Sequence, residues 1–119
     1  MKYVMLIYQG TTPLPGTEAW ESLSKEEQQA VYADYAALNQ TDGVQPGPPL
    51  GLAENATTVR VQDGRTLTTD GPFATTKEAL GGFFVLEADD LDAAIEIAAR
   101  VPAARLGGAI EIRPSETYW

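Results

Sequence analysis

Apolar and polar positions fall into runs of different period along this chain. Lys2 to Tyr8 (KYVMLIY) is an almost continuous apolar run rich in strand formers, closed by Gln9-Gly10. That pattern predicts a buried central strand. Thr11 to Gly16 is punctuated by Pro13, Pro15 and Gly16 and reads as a loop. Ser24-Lys25-Glu26-Glu27 is a capping box, with the Ser24 hydroxyl placed to accept from the Glu27 amide and Glu27 to reach back. The helix it starts runs to about Asn39, and Val31, Tyr35 and Leu38 share one face at i, i+4 and i+7. Leu23 stands just before the cap as an apolar staple, and Asp42-Gly43 closes the unit.

Gly47 to Ala53 holds Pro48 and Pro49, so it is at best an edge strand. Thr57 to Gln62 alternates Val59 and Val61 with polar neighbours, and Asp63-Gly64 then signals a two-residue hairpin whose return strand is Arg65 to Thr69. Gly81 to Glu87, with Phe83, Phe84, Val85 and Leu86, predicts another buried strand. Asp89 or Asp90 caps a second helix with Leu91, Ala94, Ile95 and Ala98 as its apolar stripe, and Pro102 stops it. Ala109 to Arg113 is a short last strand, followed by a tail with Tyr118 and Trp119.

Without the hairpin the order is β-α-β-β-α-β, the split unit of a ferredoxin-like α+β fold. Residues 1–119 read as one domain. Both helices are expected on one face of an antiparallel sheet. Phe83 and Phe84 must point to opposite faces of their strand, so one aromatic ring falls on the face without helices. An apolar open face needs a cover, and a second copy in a two-fold dimer is the simplest one.

Composition narrows the chemistry. The chain is 44% hydrophobic and 21% charged, with a formal net charge of −9. Binding nucleic acid or anionic lipid requires a surplus of Lys and Arg, so neither partner is expected. No apolar run approaches the roughly 18 residues of a membrane helix, and the first ten residues lack a secretory cleavage pattern. A cytoplasmic protein is the expectation. The chain has no cysteine and no histidine. Disulfides, thiolate metal sites and a Cys nucleophile are excluded, and any acid–base chemistry falls to Asp, Glu, Lys or Tyr. No phosphate-binding loop is present, because the glycines at 81–82 and 107–108 lack the spacing, and no cofactor or metal is expected.

The most unusual stretch is Asp70 to Gly82 (DGPFATTKEALGG). Together with KYVMLIY at the start, Leu80-Gly81-Gly82-Phe83, Asp90-Leu91-Asp92, Ala98 to Pro102 and Glu111-Ile112-Arg113-Pro114, it makes the chain resemble the YCII-related, or DGPF-domain, family of small bacterial proteins. The resemblance spans nearly the whole chain. It implies a dimeric α-β barrel built from two ferredoxin-like units, and no settled activity. It also implies, for some members, an association with extracytoplasmic-function sigma factors. Two departures bear on mechanism. The family string usually has Glu where Thr75 stands, and related members carry a His/Asp pair proposed as catalytic. With no histidine, that mechanism does not transfer.

Structurally, Asp70-Gly71-Pro72 makes a turn, Phe73 plugs the core, and Gly81-Gly82 permits close approach. Functionally, Asp70, Lys77 and Glu78 bring both charge signs into one loop and are the candidate catalytic residues. A carboxylate in apolar surroundings would act as a base, and Lys77 would hold a carboxylate or an enolate. Tyr8, Asp70, Phe73, Lys77, Phe83 and Arg113 are the candidate ligand pocket. Three readings follow: a homodimer binding an unidentified small molecule, with or without catalysis; a regulatory module that docks on a sigma factor or another protein; and a structural dimer without a ligand. The first is preferred.

Overall fold

The strand β1 (Lys2–Tyr8) is the centre around which the rest of the chain is arranged. The computed structural model describes residues 1–71 and 80–118. After β1 come a four-residue helix α1 (Glu18–Glu21), the long helix α2 (Lys25–Asn39) and a short strand β2 (Val44–Pro46). The hairpin β3 (Thr57–Gln62) and β4 (Arg65–Asp70) follows, then β5 (Leu80–Glu87), α3 (Leu91–Ala98) and β6 (Ala109–Pro114). Single 3₁₀ turns cover Ala53–Asn55 and Pro102–Ala104.

Four strands form one antiparallel sheet in the order β2-β5-β1-β6, and β3 and β4 make a separate two-stranded sheet. β1 pairs Val4 with Val85 and Leu6 with Phe83 on one side, and Val4 with Arg113 and Leu6 with Glu111 on the other. Residues paired directly across strands share a face. Tyr3, Met5 and Ile7 therefore join Phe84 and Leu86 on the helix side, where they form the core with Leu38, Ala94, Ala98 and Val101. Val4, Leu6, Tyr8, Phe83 and Val85 lie on the opposite face and take no part in that core.

Helix starts follow the expected chemistry. Ser24 Oγ accepts from the Glu27 amide at 3.1 Å, and Asp90 Oδ1 accepts from the Ala93 amide at 2.9 Å. The α1 helix was not expected. Thr17 caps it, its hydroxyl accepting from the Trp20 amide while donating to the Leu14 carbonyl at 2.6 Å. Trp20 is buried and meets Tyr32 edge to face at 5.4 Å.

Two expectations are corrected. The edge strand is Val44–Pro46, not Gly47–Ala53. The Gly47 amide still donates to the Phe83 carbonyl at 2.9 Å, but Pro48 and Pro49 have no N–H to continue the ladder. In α3 the buried arc runs through Ala94 and Ala98 toward Ile97. Leu91 and Ile95, placed on the apolar stripe by spacing, stand exposed. The small alanines let the helix sit close to the sheet, rotated away from its larger side chains.

The hairpin turn forms as the sequence predicts. Asp63 has φ 50° and Gly64 φ 75°, the pair of positive values a tight two-residue turn requires. Every residue of β4, and every residue of β3 except Thr58, is exposed. The radius of gyration is 16.1 Å and the extents are 49 × 41 × 19 Å, whereas a compact domain of this length has a radius of about 13–14 Å.

Core and cap contributions separate by size. Leu38 is fully buried, so Leu38→Ala is expected to lower the unfolding free energy by about 3 kcal/mol. Ser24→Ala should cost about 1 kcal/mol. Urea denaturation of the two variants checks the ranking, and equal effects would contradict it.

Candidate functional site

Where β1 ends and β5 begins, the sheet regularity breaks. Ile7 pairs with Gly82 but Tyr8 pairs with Leu80, so Gly81 is the extra residue of a bulge. The Gln9 side chain lies directly over Gly81, where a Cβ would occupy the same space. The close approach expected of the double glycine is thus made by a side chain. Gln9 Oε1 is buried and has no hydrogen-bond partner among the described residues. Leaving such an acceptor unpaired costs on the order of 1–3 kcal/mol.

Beside this bulge opens a cleft of about 820 Å³. Its floor is Ile7, Gly82 and Phe84 at the end of the sheet, and Tyr35 and Asn39 reach it from α2. One wall is the loop from Leu14 to Thr17, held by the Thr17–Leu14 hydrogen bond. The other is the segment from Pro46 to Glu54, tied to β5 by the Gly47–Phe83 bond and by the Leu50 amide donating to the Gly81 carbonyl at 3.4 Å. Gly47 lies flat on the Phe83 ring, with no room for a Cβ between them. A second hollow of about 360 Å³ adjoins the first through Leu50 to Ala53 and Leu80.

The described lining is apolar and aromatic with few polar groups, and Glu54 is its charged residue. Tyr35 stacks on Phe84, ring centroids 6.5 Å apart and planes within 12°. Burial pushes the Tyr35 phenol above its ordinary range, and the Arg105 guanidinium opposes that rise. Arg105 is itself paired with Asp34. At neutral pH Tyr35 is therefore a protonated donor. Among the described residues no three acidic side chains cluster in a way that could hold a metal ion.

The six candidate pocket residues are distributed as follows. Phe83 lines the cleft. Tyr8 is half-buried and Arg113 exposed on the sheet face without helices, and Arg113 Nε donates to Glu111 Oε2 at 2.8 Å. Asp70 is exposed at the end of β4, paired with Thr57. Phe73 and Lys77, with the candidate catalytic Glu78, lie outside the described residues. The structure thus brings Tyr8, Phe83 and Arg113 onto one face and puts Asp70 on the separate hairpin sheet. Sequence reasoning placed Tyr35 on a helix face and did not connect it, Gln9 or the Pro46–Glu54 segment with a cleft. The available signal was a phenol inside an apolar helix stripe, since a buried tyrosine needs an outlet for its hydroxyl.

The family model for the YCII-related domain matches residues 1–116. The chain belongs to the YCII-related family. Within it, an uncharacterised protein of Rhizobium meliloti (strain 1021) is similar to this chain, 35% identical over 123 residues that cover 99% of this chain and 94% of the relative. Among the described residues of this YCII-related chain, no helix is long and apolar enough to cross a membrane.

The Tyr35 environment can be read by titration. Its raised value favours the protonated form in the folded state. That contribution to stability is fully present below the tyrosine value of the unfolded chain and is lost as pH rises through the folded one. In the near-ultraviolet phenolate band, a late-ionising step should disappear in Tyr35→Phe. A profile unchanged by the substitution would contradict the assignment.

Proposed function

We propose that this protein is a small-molecule-binding protein that works as a dimer of ferredoxin-like units, and that the cleft beside the Gly81 bulge holds its ligand. The observation that carries the reading is the cleft itself. Its volume, about 820 Å³, falls in the range of ligand sites, and its apolar lining with a few polar groups is the usual composition of one. The strand order β2-β5-β1-β6 supports the ferredoxin-like unit. The apolar row of Val4, Leu6, Tyr8, Phe83 and Val85 supports pairing of two sheets, because that row stands outside the core on the helix-free face.

The ligand class follows from the described lining. The half-buried Tyr35 and Phe83 rings line the cleft and offer aromatic surface, and the protonated Tyr35 hydroxyl offers a donor. Glu54 repels anions. A neutral, largely aromatic molecule with a hydrogen-bond acceptor suits these groups better than a carboxylate does. Binding, rather than acid–base turnover, is the chemistry they support.

The test uses 2-naphthol and 2-naphthoate as probes. Gly51 lines the cleft, and nothing lies within 4 Å of where its Cβ would be. Gly51→Phe therefore adds bulk at the cleft wall with no clash at Cβ. The neutral probe should raise the melting temperature of the wild type, since a ligand stabilises the state it binds. The anion should raise it less, and Gly51→Phe should abolish both shifts. Equal shifts in the wild type and in Gly51→Phe would place the binding elsewhere and overturn the reading.

A further inference from the structure

The hollow of about 360 Å³ that adjoins the cleft is chemically unlike it. The segment Leu50 to Ala53 and Leu80 line both spaces, while Asn55 and Ala56 line the hollow alone. The main chain here is already engaged. In the 3₁₀ turn Ala53–Asn55 the Asn55 amide donates to the Leu52 carbonyl at 2.9 Å, and the Ala56 amide donates to the Ala53 carbonyl at 3.0 Å. Among the described residues the side chains of the hollow are leucines, alanines and one asparagine. The Tyr35, Phe83 and Phe84 rings and the Glu54 carboxylate line the cleft and not the hollow. Leu50 and Leu80 are 45% and 42% exposed, and the bond from the Leu50 amide to the Gly81 carbonyl keeps their segments together. Exposed apolar side chains grouped beside a concave site mark surface that a ligand covers.

We propose that the hollow is a subsite for an aliphatic arm of the ligand held in the cleft, so that the ligand is a neutral aromatic molecule bearing an alkyl chain. The inference rests on the reading of the cleft as a ligand site. Continuity identifies the occupant. The two spaces share a wall, so a molecule seated in the cleft extends next over Leu50 to Ala53 and Leu80. The groups that can orient a ligand lie in the cleft. The hollow offers contact, which is non-directional and grows with the apolar area covered. A saturated chain gains from that contact and requires no hydrogen bond. A polar substituent would give up its water for a described lining whose polar side chain is Asn55 alone. Each methylene taken out of water is worth up to about fourfold in affinity.

The methyl, ethyl, propyl and butyl esters of 4-hydroxybenzoic acid are the probes, because they keep one neutral aromatic head and lengthen by a methylene at a time. Their dissociation constants are measured by calorimetry at slightly acidic pH. In the wild type, affinity should rise at least about tenfold from the methyl to the butyl ester. Ala56 has an extended backbone, φ −74° and ψ 153°, which any residue adopts. Ala56→Phe fills the hollow and Ala56→Asp puts a charge in it, and Ala56 is not among the residues lining the cleft. Both variants should bind the methyl ester as the wild type does and lose the gain with chain length; if Ala56→Phe does not fold, Ala56→Asp decides. A gain that persists in the folded variants, or affinity that does not change with chain length in the wild type, overturns the subsite and leaves the cleft reading standing. A wild type that binds none of the esters, or a Gly51→Phe protein that binds the methyl ester equally well, overturns the cleft reading and the subsite with it.

Discussion

Everything in this molecule is arranged around a strand that is apolar on both sides. β1 lies between β5 and β6, and alternation sends Tyr3, Met5 and Ile7 one way and Val4, Leu6 and Tyr8 the other. The chain supplies α2 and α3 to cover the first set, which becomes the core. Burying such side chains contributes about 1.5–3 kcal/mol each, the dominant favourable term in a domain this small. The second set receives no such cover from the helices. The apolar row on the helix-free face, which supports the proposed dimer, thus originates in the period of a single strand, and Phe83 and Val85 of β5 extend it across the sheet.

The same period explains what could be read from the sequence. The strand–helix order, the Ser24 cap, the Asp63-Gly64 turn and the opposite placement of Phe83 and Phe84 are decided by neighbours a few residues apart, and they were legible. The edge strand was misplaced because Pro48 and Pro49 were allowed an edge position, whereas the strand pairs with β5 through Val44–Pro46, just before them. The orientation of α3 was missed because Leu91 and Ile95 outweigh Ala94 and Ala98 in any hydrophobicity reading, while close approach to the sheet favours the smaller pair.

The cleft was harder still. It is assembled from the end of a strand, a bulge, a helix face and two proline-containing segments that are far apart in sequence. No motif announces it. Gln9 belongs to the site because Gly81 lets its side chain lie across the sheet, a relation that depends on the register of β1 with β5. The charged residues of the Asp70–Gly82 stretch drew the sequence reading toward acid–base chemistry. The described groups around the cleft are mostly apolar and aromatic, with the amides of Gln9 and Asn39, the hydroxyls of Thr17 and Tyr35, and the Glu54 carboxylate, whereas Lys77 and Glu78 lie outside the described residues.

The outer wall of that cleft is fastened to β5 through main-chain amides of Gly47 and Leu50, not through side chains. Backbone anchoring leaves Leu50 and Leu52 open to replacement without loosening the wall that carries them. Under the proposed reading, such a cleft can drift in preference from one ligand to another while its scaffold stays fixed. Point substitutions in this one short segment would then change what the cleft accepts with little penalty to folding.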